Sequence, residues 1–200
     1  MPSRRNVVFA IAVLIVAALT GAAALWFSAD RGPNGIGTAL VGGPFSLVDH
    51  NGKRVTEKDF AGKYMLVFFG YAYCPDVCPS TLQVMSAALD KLGPAADGIT
   101  PVFVTIDPDR DTVEVLKSYV ANFHPRLVGL TGSPEEIAAM AKAWRVYYQK
   151  PKSEEGKSEY LMDHSTFLYL IGPDGKYVRH FEYGTDTNAL AANLSAAIGN

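Results

Sequence analysis

The chain divides into one long apolar run and a remainder in which apolar and polar positions alternate in short runs. Residues 6–29 carry no charge, and residues 7–27 are almost wholly apolar. A helix rising about 1.5 Å per residue over 7–27 spans a hydrocarbon core of about 30 Å. Arg4 and Arg5 precede the run, while Asp30 and Arg31 follow it. That asymmetry predicts a cytoplasmic N-terminus at 1–6, a transmembrane anchor at 7–27 and everything beyond Phe27 outside. A cleaved signal peptide is the competing reading, since Ala22-Ala23-Ala24 resembles a small-residue cleavage site. The length of the run and its Trp26-Phe27 end favour an uncleaved anchor. So short a segment before the run leaves no room for a mitochondrial presequence. The expected setting is therefore a bacterial inner membrane, crossed once, with the folded domain in the periplasm.

Residues 28–43 are rich in Gly and small side chains, include Pro33 and Asn34, and show no apolar period. They read as a flexible linker. From residue 44 to residue 200 strands and helices alternate. The stretches 45–48 and 54–56 flank Asn51-Gly52, a strong hairpin signal. The continuous apolar runs 64–70 and 101–106 suit strands buried on both faces. Between them 80–92 places Leu82, Met85, Leu89 and Leu92 on one helical face. A helix is predicted over 111–123, with Asp111 and Glu114 spaced as a capping box. A short strand follows at 127–130. The next helix opens on Ser133 as N-cap and Pro134 in its first turn. A further strand over 145–148, a hairpin of 166–171 with 176–182, and a closing helix over 187–198 complete the pattern. The order is that of an α/β, thioredoxin-like fold with an extra N-terminal β-hairpin.

Hydrophobic residues make up 48 % of the chain, a figure that mixes the apolar run with an ordinary domain. A net charge of −2 and the lack of a basic tract exclude nucleic acid as an expected partner. The segment 150–159 mixes both signs of charge and reads as a solvated loop.

The chain's two cysteines are Cys74 and Cys78, in Cys74-Pro75-Asp76-Val77-Cys78, where a buried strand gives way to a helix. As a staple the pair is poor, because so short a loop gives only ~2 kcal/mol in the chain-entropy account. Pro79 belongs in the first helical turn, which sets both thiols around a helix N-terminus that favours thiolate. Thiolate attacks disulfides and also binds metal, so the motif by itself does not choose between the two. Three intervening residues, rather than the two of thioredoxin-type oxidoreductases, leave more room for a metal. His164 lies just before the strand at 166–171, where a thioredoxin-like fold faces its active-site helix and normally carries a proline. No proline lies between Tyr160 and Ile171. A histidine there could close a site of two sulfurs and one nitrogen. Thiolates select Cu(I) while imidazole keeps Cu(II) acceptable, so copper suits that set. Structural zinc wants a fourth ligand, and none is evident.

Residues 70–79, Thr105-Ile106-Asp107-Pro108-Asp109-Arg110-Asp111-Thr112, Leu127-Val128-Gly129-Leu130-Thr131-Gly132, Tyr147-Tyr148 and Asp163-His164-Ser165 together resemble the hallmark motifs of the Sco/SenC family. They occur in family order from about Phe45 to Glu182. The resemblance implies a thioredoxin-like domain on a single membrane anchor, binding one copper per chain as Cu(I) or Cu(II) through Cys74, Cys78 and His164. It further implies a role in delivering copper to, or preparing the thiols of, the Cu-A centre in subunit II of cytochrome c oxidase, which reads more as a metallochaperone than as an enzyme. An upstream periplasmic copper donor would supply it. A thiol–disulfide reductase acting through Cys74 and Cys78 on the same client cysteines is the alternative, and a copper or redox sensor is a third. His164 favours the first, since a dithiol reductase does not need it.

Among the remaining polar residues, Asp163 is a candidate to orient His164 or a nearby backbone group, with simple solvation as the alternative. The segment 107–111 reads as a turn, a cap or a partner contact. His50, His124 and His180 read as surface histidines, Met65, Met85 and Met140 as core, and Met162 as packing near the site.

Overall fold

The computed structural model describes residues 41–152 and 160–199. The expected cytoplasmic segment and transmembrane helix lie outside the described residues, as do residues 28–40 of the expected linker. Among the described residues no helix is long and apolar enough to cross a membrane. Residues 41–43 are described, and the Gly42 N–H already donates to the Ala143 carbonyl at 3.2 Å.

Strands β1 (Ser46–Asp49) and β2 (Arg54–Thr56) form the expected N-terminal hairpin, with Leu47 opposite Val55. Gly52, at φ +83°, supplies the left-handed residue its turn requires. The three parallel strands at the centre are β3 (Tyr64–Gly70), β4 (Ile99–Thr105) and β5 (Val128–Thr131). Their apolar runs carry no polar face because helices cover both sides. A two-residue pair, β6 (Tyr148–Gln149) with β7 (Asp163–His164), stands apart from the main sheet. Strands β8 (Leu168–Ile171) and β9 (Tyr177–Phe181) complete the seven-stranded order β2-β1-β5-β4-β3-β8-β9. The fold is α/β and thioredoxin-like, with the hairpin added at the sheet's far edge.

Helix α1 (Val77–Leu92) starts three residues earlier than the apolar period predicts, so Cys78 and Pro79 both fall in its first turn. It buries Leu82, Met85 and Leu89, each worth about 1.5–3 kcal/mol on burial. Helix α2 (Val113–Val120) is shorter than expected, and its cap is not Asp111. Thr112 takes that role, its hydroxyl accepting from the Val115 N–H. Asp111 is turned inward instead, because the Thr105 hydroxyl and the Ala72 N–H claim its carboxylate. Helix α3 (Pro134–Ala143) carries the predicted Ser133 cap, and α4 (Thr187–Ile198) packs against α1. The strand expected over 145–148 contracts to β6, since Arg145 adopts φ 56° and breaks extended backbone.

Two of the histidines differ from expectation. His124 is buried, with its Nδ1 accepting from the Arg126 N–H and its Nε2 3.7 Å from Asp90. His50 is half-buried, its Nδ1 accepting from the Gly129 N–H. Both serve the loops around β5.

Candidate metal centre

The site forms at the C-terminal end of β3, where backbone and thiol come unusually close. A Cβ on Gly70 would lie 2.8 Å from Cys78 Sγ and 3.0 Å from the Phe103 ring, so only glycine lets the strand pass behind the thiol. Cys78 is fully buried and Cys74 half-buried. Both are free thiols, and the Cys78 N–H, at the opening of α1, points at Cys74 Sγ from 3.4 Å.

The third group arrives from the small β6–β7 pair. His164 stands opposite Tyr148 in that ladder, and the Ser165 N–H donates to the Tyr147 carbonyl at 2.9 Å. Its Nε2 lies 3.5 Å from Cys78 Sγ. The rings of Phe68 and Tyr71 meet the imidazole edge-on, at 6.1 and 5.9 Å between centroids. Nδ1 lies 2.9 Å from the Ser165 carbonyl oxygen, an acceptor only, so the ring proton belongs on Nδ1. Nε2 is thereby left with its lone pair facing the two sulfurs. One ligand atom from each of Cys74, Cys78 and His164 lies within 4.8 Å of the others.

Sequence reasoning offered Asp163 as a candidate for the orienting role, with simple solvation as the alternative. The structure gives it to the Ser165 main chain, and the Asp163 side chain is exposed because the strand alternates. No sequence signal marks a backbone carbonyl for that task. Met162 is partly buried, and its N–H donates to the Tyr71 hydroxyl at 3.1 Å.

The two thiols titrate apart. A hydrogen bond from the Cys78 thiol holds Cys74 well below the ordinary thiol range, against its own burial, with help from the Asp76 and Cys78 N–H groups. Cys78 is driven the other way by donating that bond and by burial. The metal-free site therefore holds one thiolate, at Cys74, and one protonated sulfur. A metal that takes both must displace the Cys78 proton. Two soft sulfurs and one imidazole fit copper in either oxidation state. No fourth protein ligand joins them among the described residues, as a closed zinc site would need.

Behind the cysteines, Asp111 is fully buried, and its Oδ1 has no hydrogen-bond partner among the described residues. Burial pushes its carboxyl up to about 6, with Asp107 adding to the rise and Thr105, Ala72 and Arg110 opposing it. A carboxyl raised on folding binds its proton more tightly in the native state. Its contribution is therefore full below the unfolded value near 3.8 and is lost as pH rises through about 6. Asp111→Asn is expected to flatten the fall in stability between those limits, by about 2–3 kcal/mol across the window. Urea unfolding of both proteins from pH 4 to 7 reads it. Parallel pH profiles would show that Asp111 does not titrate there.

A profile of the SCO1/SenC family matches residues 33–199. The chain belongs to the SCO1/SenC family. It is 47 % identical over 161 residues to the Arabidopsis thaliana protein "Protein SCO1 homolog 1, mitochondrial", covering 80 % of this chain and 47 % of that protein. With the human "Protein SCO1 homolog, mitochondrial" it shares 44 % identity over 163 residues, 80 % of this chain and 54 % of the relative. The chain thus spans about half the length of these SCO1 relatives. Among solved structures, Arabidopsis ScoI with copper bound superposes with a TM-score of 0.73 at 43 % identity, covering 80 % of this chain and 98 % of that one.

These relatives correct the expected setting. The sequence pointed to a bacterial inner membrane and a periplasmic domain, yet the plant and human proteins it matches are mitochondrial. The inference failed because it rested on how few residues precede the apolar run, and the first residue of a chain carries no physical information about its compartment.

Proposed function

We propose that the domain binds one copper ion per chain, as Cu(I) or Cu(II), and hands it on as cargo during assembly of cytochrome c oxidase. The observation that carries this is the convergence of two sulfurs with an imidazole whose Nδ1 is committed to Ser165, leaving Nε2 free to ligate. Copper in the solved Arabidopsis and Bradyrhizobium japonicum relatives supports the choice of metal. The client we infer from the SCO1/SenC resemblance is the Cu-A centre of subunit II, with a separate donor loading the site. Each residue has a distinct part. Cys74 offers a ready thiolate at the half-open side, Cys78 gives the buried second sulfur, and His164 decides how well Cu(II) is held.

A second reading is favoured by the asymmetry of the thiols. A half-exposed thiolate beside a buried thiol is the arrangement for thiol–disulfide exchange. Cys74 would attack a client disulfide, releasing one client thiol. Cys78 would then displace the second, leaving a Cys74–Cys78 disulfide and a reduced client.

His164→Ala separates the two readings, because it removes one copper ligand and leaves the dithiol intact. We expect Cu(II) affinity to fall by about 100- to 1,000-fold, taking a ligand as a share of a metal site's binding free energy, while disulfide reduction is largely kept. Cells carrying only this variant should lack oxidase Cu-A at limiting copper, with partial recovery in excess copper. Normal Cu-A assembly at low copper would reject copper delivery and promote the reductase.

A further inference from the structure

The strand that delivers His164 is too short to hold itself. Its ladder consists of two residue pairs, Tyr148 with His164 and Gln149 with Asp163, and an isolated two-stranded pairing is marginal in water. Ties outside the ladder must help to fix it: the Met162 N–H bond to the Tyr71 hydroxyl is one, and a second set of contacts lies just before it in the chain.

The Tyr160 hydroxyl donates to Asp107 Oδ1 at 2.7 Å. Asp107 is only 3 % exposed, and its other oxygen accepts from Arg110 Nε. The Arg110 guanidinium lies 3.5 Å from the centroid of the Tyr160 ring, and the Lys150 ammonium lies 3.4 Å from the same centroid. Two cations that close to one centroid fit only on opposite faces. Arg110 belongs to the loop leaving β4, whereas Lys150 directly follows β6. One ring therefore joins three pieces of chain: the entry to β7, the exit of β6 and the loop after β4. Arg110 also reaches the rings of Tyr73 and Tyr71, at 4.8 and 5.7 Å, so the same cation is seated against the segment that leads to Cys74.

We propose that Tyr160 is a positioning residue, a latch that holds His164 in reach of Cys78 and thereby sets the preference of the site between Cu(II) and Cu(I). The latch itself follows from the contacts alone; its effect on metal choice rests on the copper reading above. Cu(I) is content with two soft sulfurs, whereas Cu(II) gains from the harder nitrogen, so a loosened imidazole penalises Cu(II) selectively. The hydrogen bond and the two cation–ring contacts share Tyr160, and the Arg110–Asp107 ion pair ties two of its partners together.

Tyr160→Phe keeps the ring between its cations and removes the bond to Asp107; Tyr160→Ala removes everything. Each is made in the full chain, alone and with His164→Ala, and Cu(II) and Cu(I) affinities are measured by competition. We expect Cu(II) affinity to fall by about 10- to 100-fold in Tyr160→Ala and by less in Tyr160→Phe, with Cu(I) affinity little changed. In the His164→Ala background neither substitution should cause further loss. Hydrogen exchange of the Ser165 amide, followed in metal-free protein, should quicken in Tyr160→Ala while the β3 amides stay protected. Equal losses for both oxidation states, or a further loss without His164, would reduce Tyr160 to general scaffolding and overturn the proposal. Unchanged Ser165 exchange would also overturn it. If the wild type binds no copper, the copper reading fails, and the exchange measurement still decides the latch.

Discussion

Replacing Cys78 with alanine is expected to lower copper affinity by about 100- to 1,000-fold. Spreading the apparent 10–16 kcal/mol of a four-ligand thiolate–imidazole site over its ligands gives about 2.5–4 kcal/mol each, and about 1.4 kcal/mol is a factor of ten. Cys78 warrants at least that share. It is the fully buried sulfur, it stands 3.5 Å from His164 Nε2, and its N–H faces Cys74 Sγ. Its loss also removes the proton donor that holds Cys74 as thiolate, so the surviving sulfur returns toward ordinary thiol behaviour. Cys74→Ala should fail comparably, though for a simpler reason, since it deletes the thiolate that is already formed. Titration of each variant against a Cu(I) chelator reads the effect. Wild-type affinity in both would remove these cysteines from the site.

The second large effect is on stability and reaches the site through the core. Phe68 is fully buried on β3, with its ring 6.3 Å from that of Phe103 and 6.1 Å from the His164 imidazole. Truncation to alanine leaves a cavity in a layer with helices on either side, and such changes cost about 3–5 kcal/mol. Set against a total of about 5–15 kcal/mol for an ordinary domain, that is a large fraction. Thermal unfolding of Phe68→Ala followed by circular dichroism should show a Tm lowered by roughly 6–20 °C. A drop of less than about 3 °C would mean that the neighbouring rings close the gap. The imidazole also loses one of its two aromatic walls, so the variant that folds should hold Cu(II) less firmly than Cu(I).

Much of this was legible because it is local. A run such as residues 64–70 is buried wherever it goes, since water rejects it on both faces. Pro79 fixes a helix start within a residue or two, and that start makes the neighbouring thiols acidic. Asn51-Gly52 marks a turn through a backbone conformation that few other residues accept. The three candidate ligands stood out in the sequence for a further reason: soft sulfur and imidazole are scarce in this chain, with two cysteines and four histidines in all.

Where local rules competed, the sequence could mislead. Asp111 and Glu114 have capping-box spacing, but the buried Thr105 hydroxyl and the Ala72 N–H take the Asp111 carboxylate from the helix terminus. Asp163 adjoins His164 in sequence, yet strand alternation sends it to solvent and leaves the imidazole to a main-chain carbonyl. Likewise Tyr160, Lys150, Arg110 and Asp107 carry no shared motif; they meet because the loop after β4 and the ends of β6 and β7 reach one edge of the sheet.

The amino-acid sequence by itself determined the elements, their order and the identity of the donor atoms, since these follow from periodicity, turn chemistry and side-chain type. Only the tertiary structure decided which oxygen orients His164, which thiol keeps its proton and what fastens the His164 strand. Those outcomes depend on distances between groups far apart in the chain, 91 positions for Tyr71 and Met162, and on the burial that packing imposes. Neither quantity exists before the chain closes on itself.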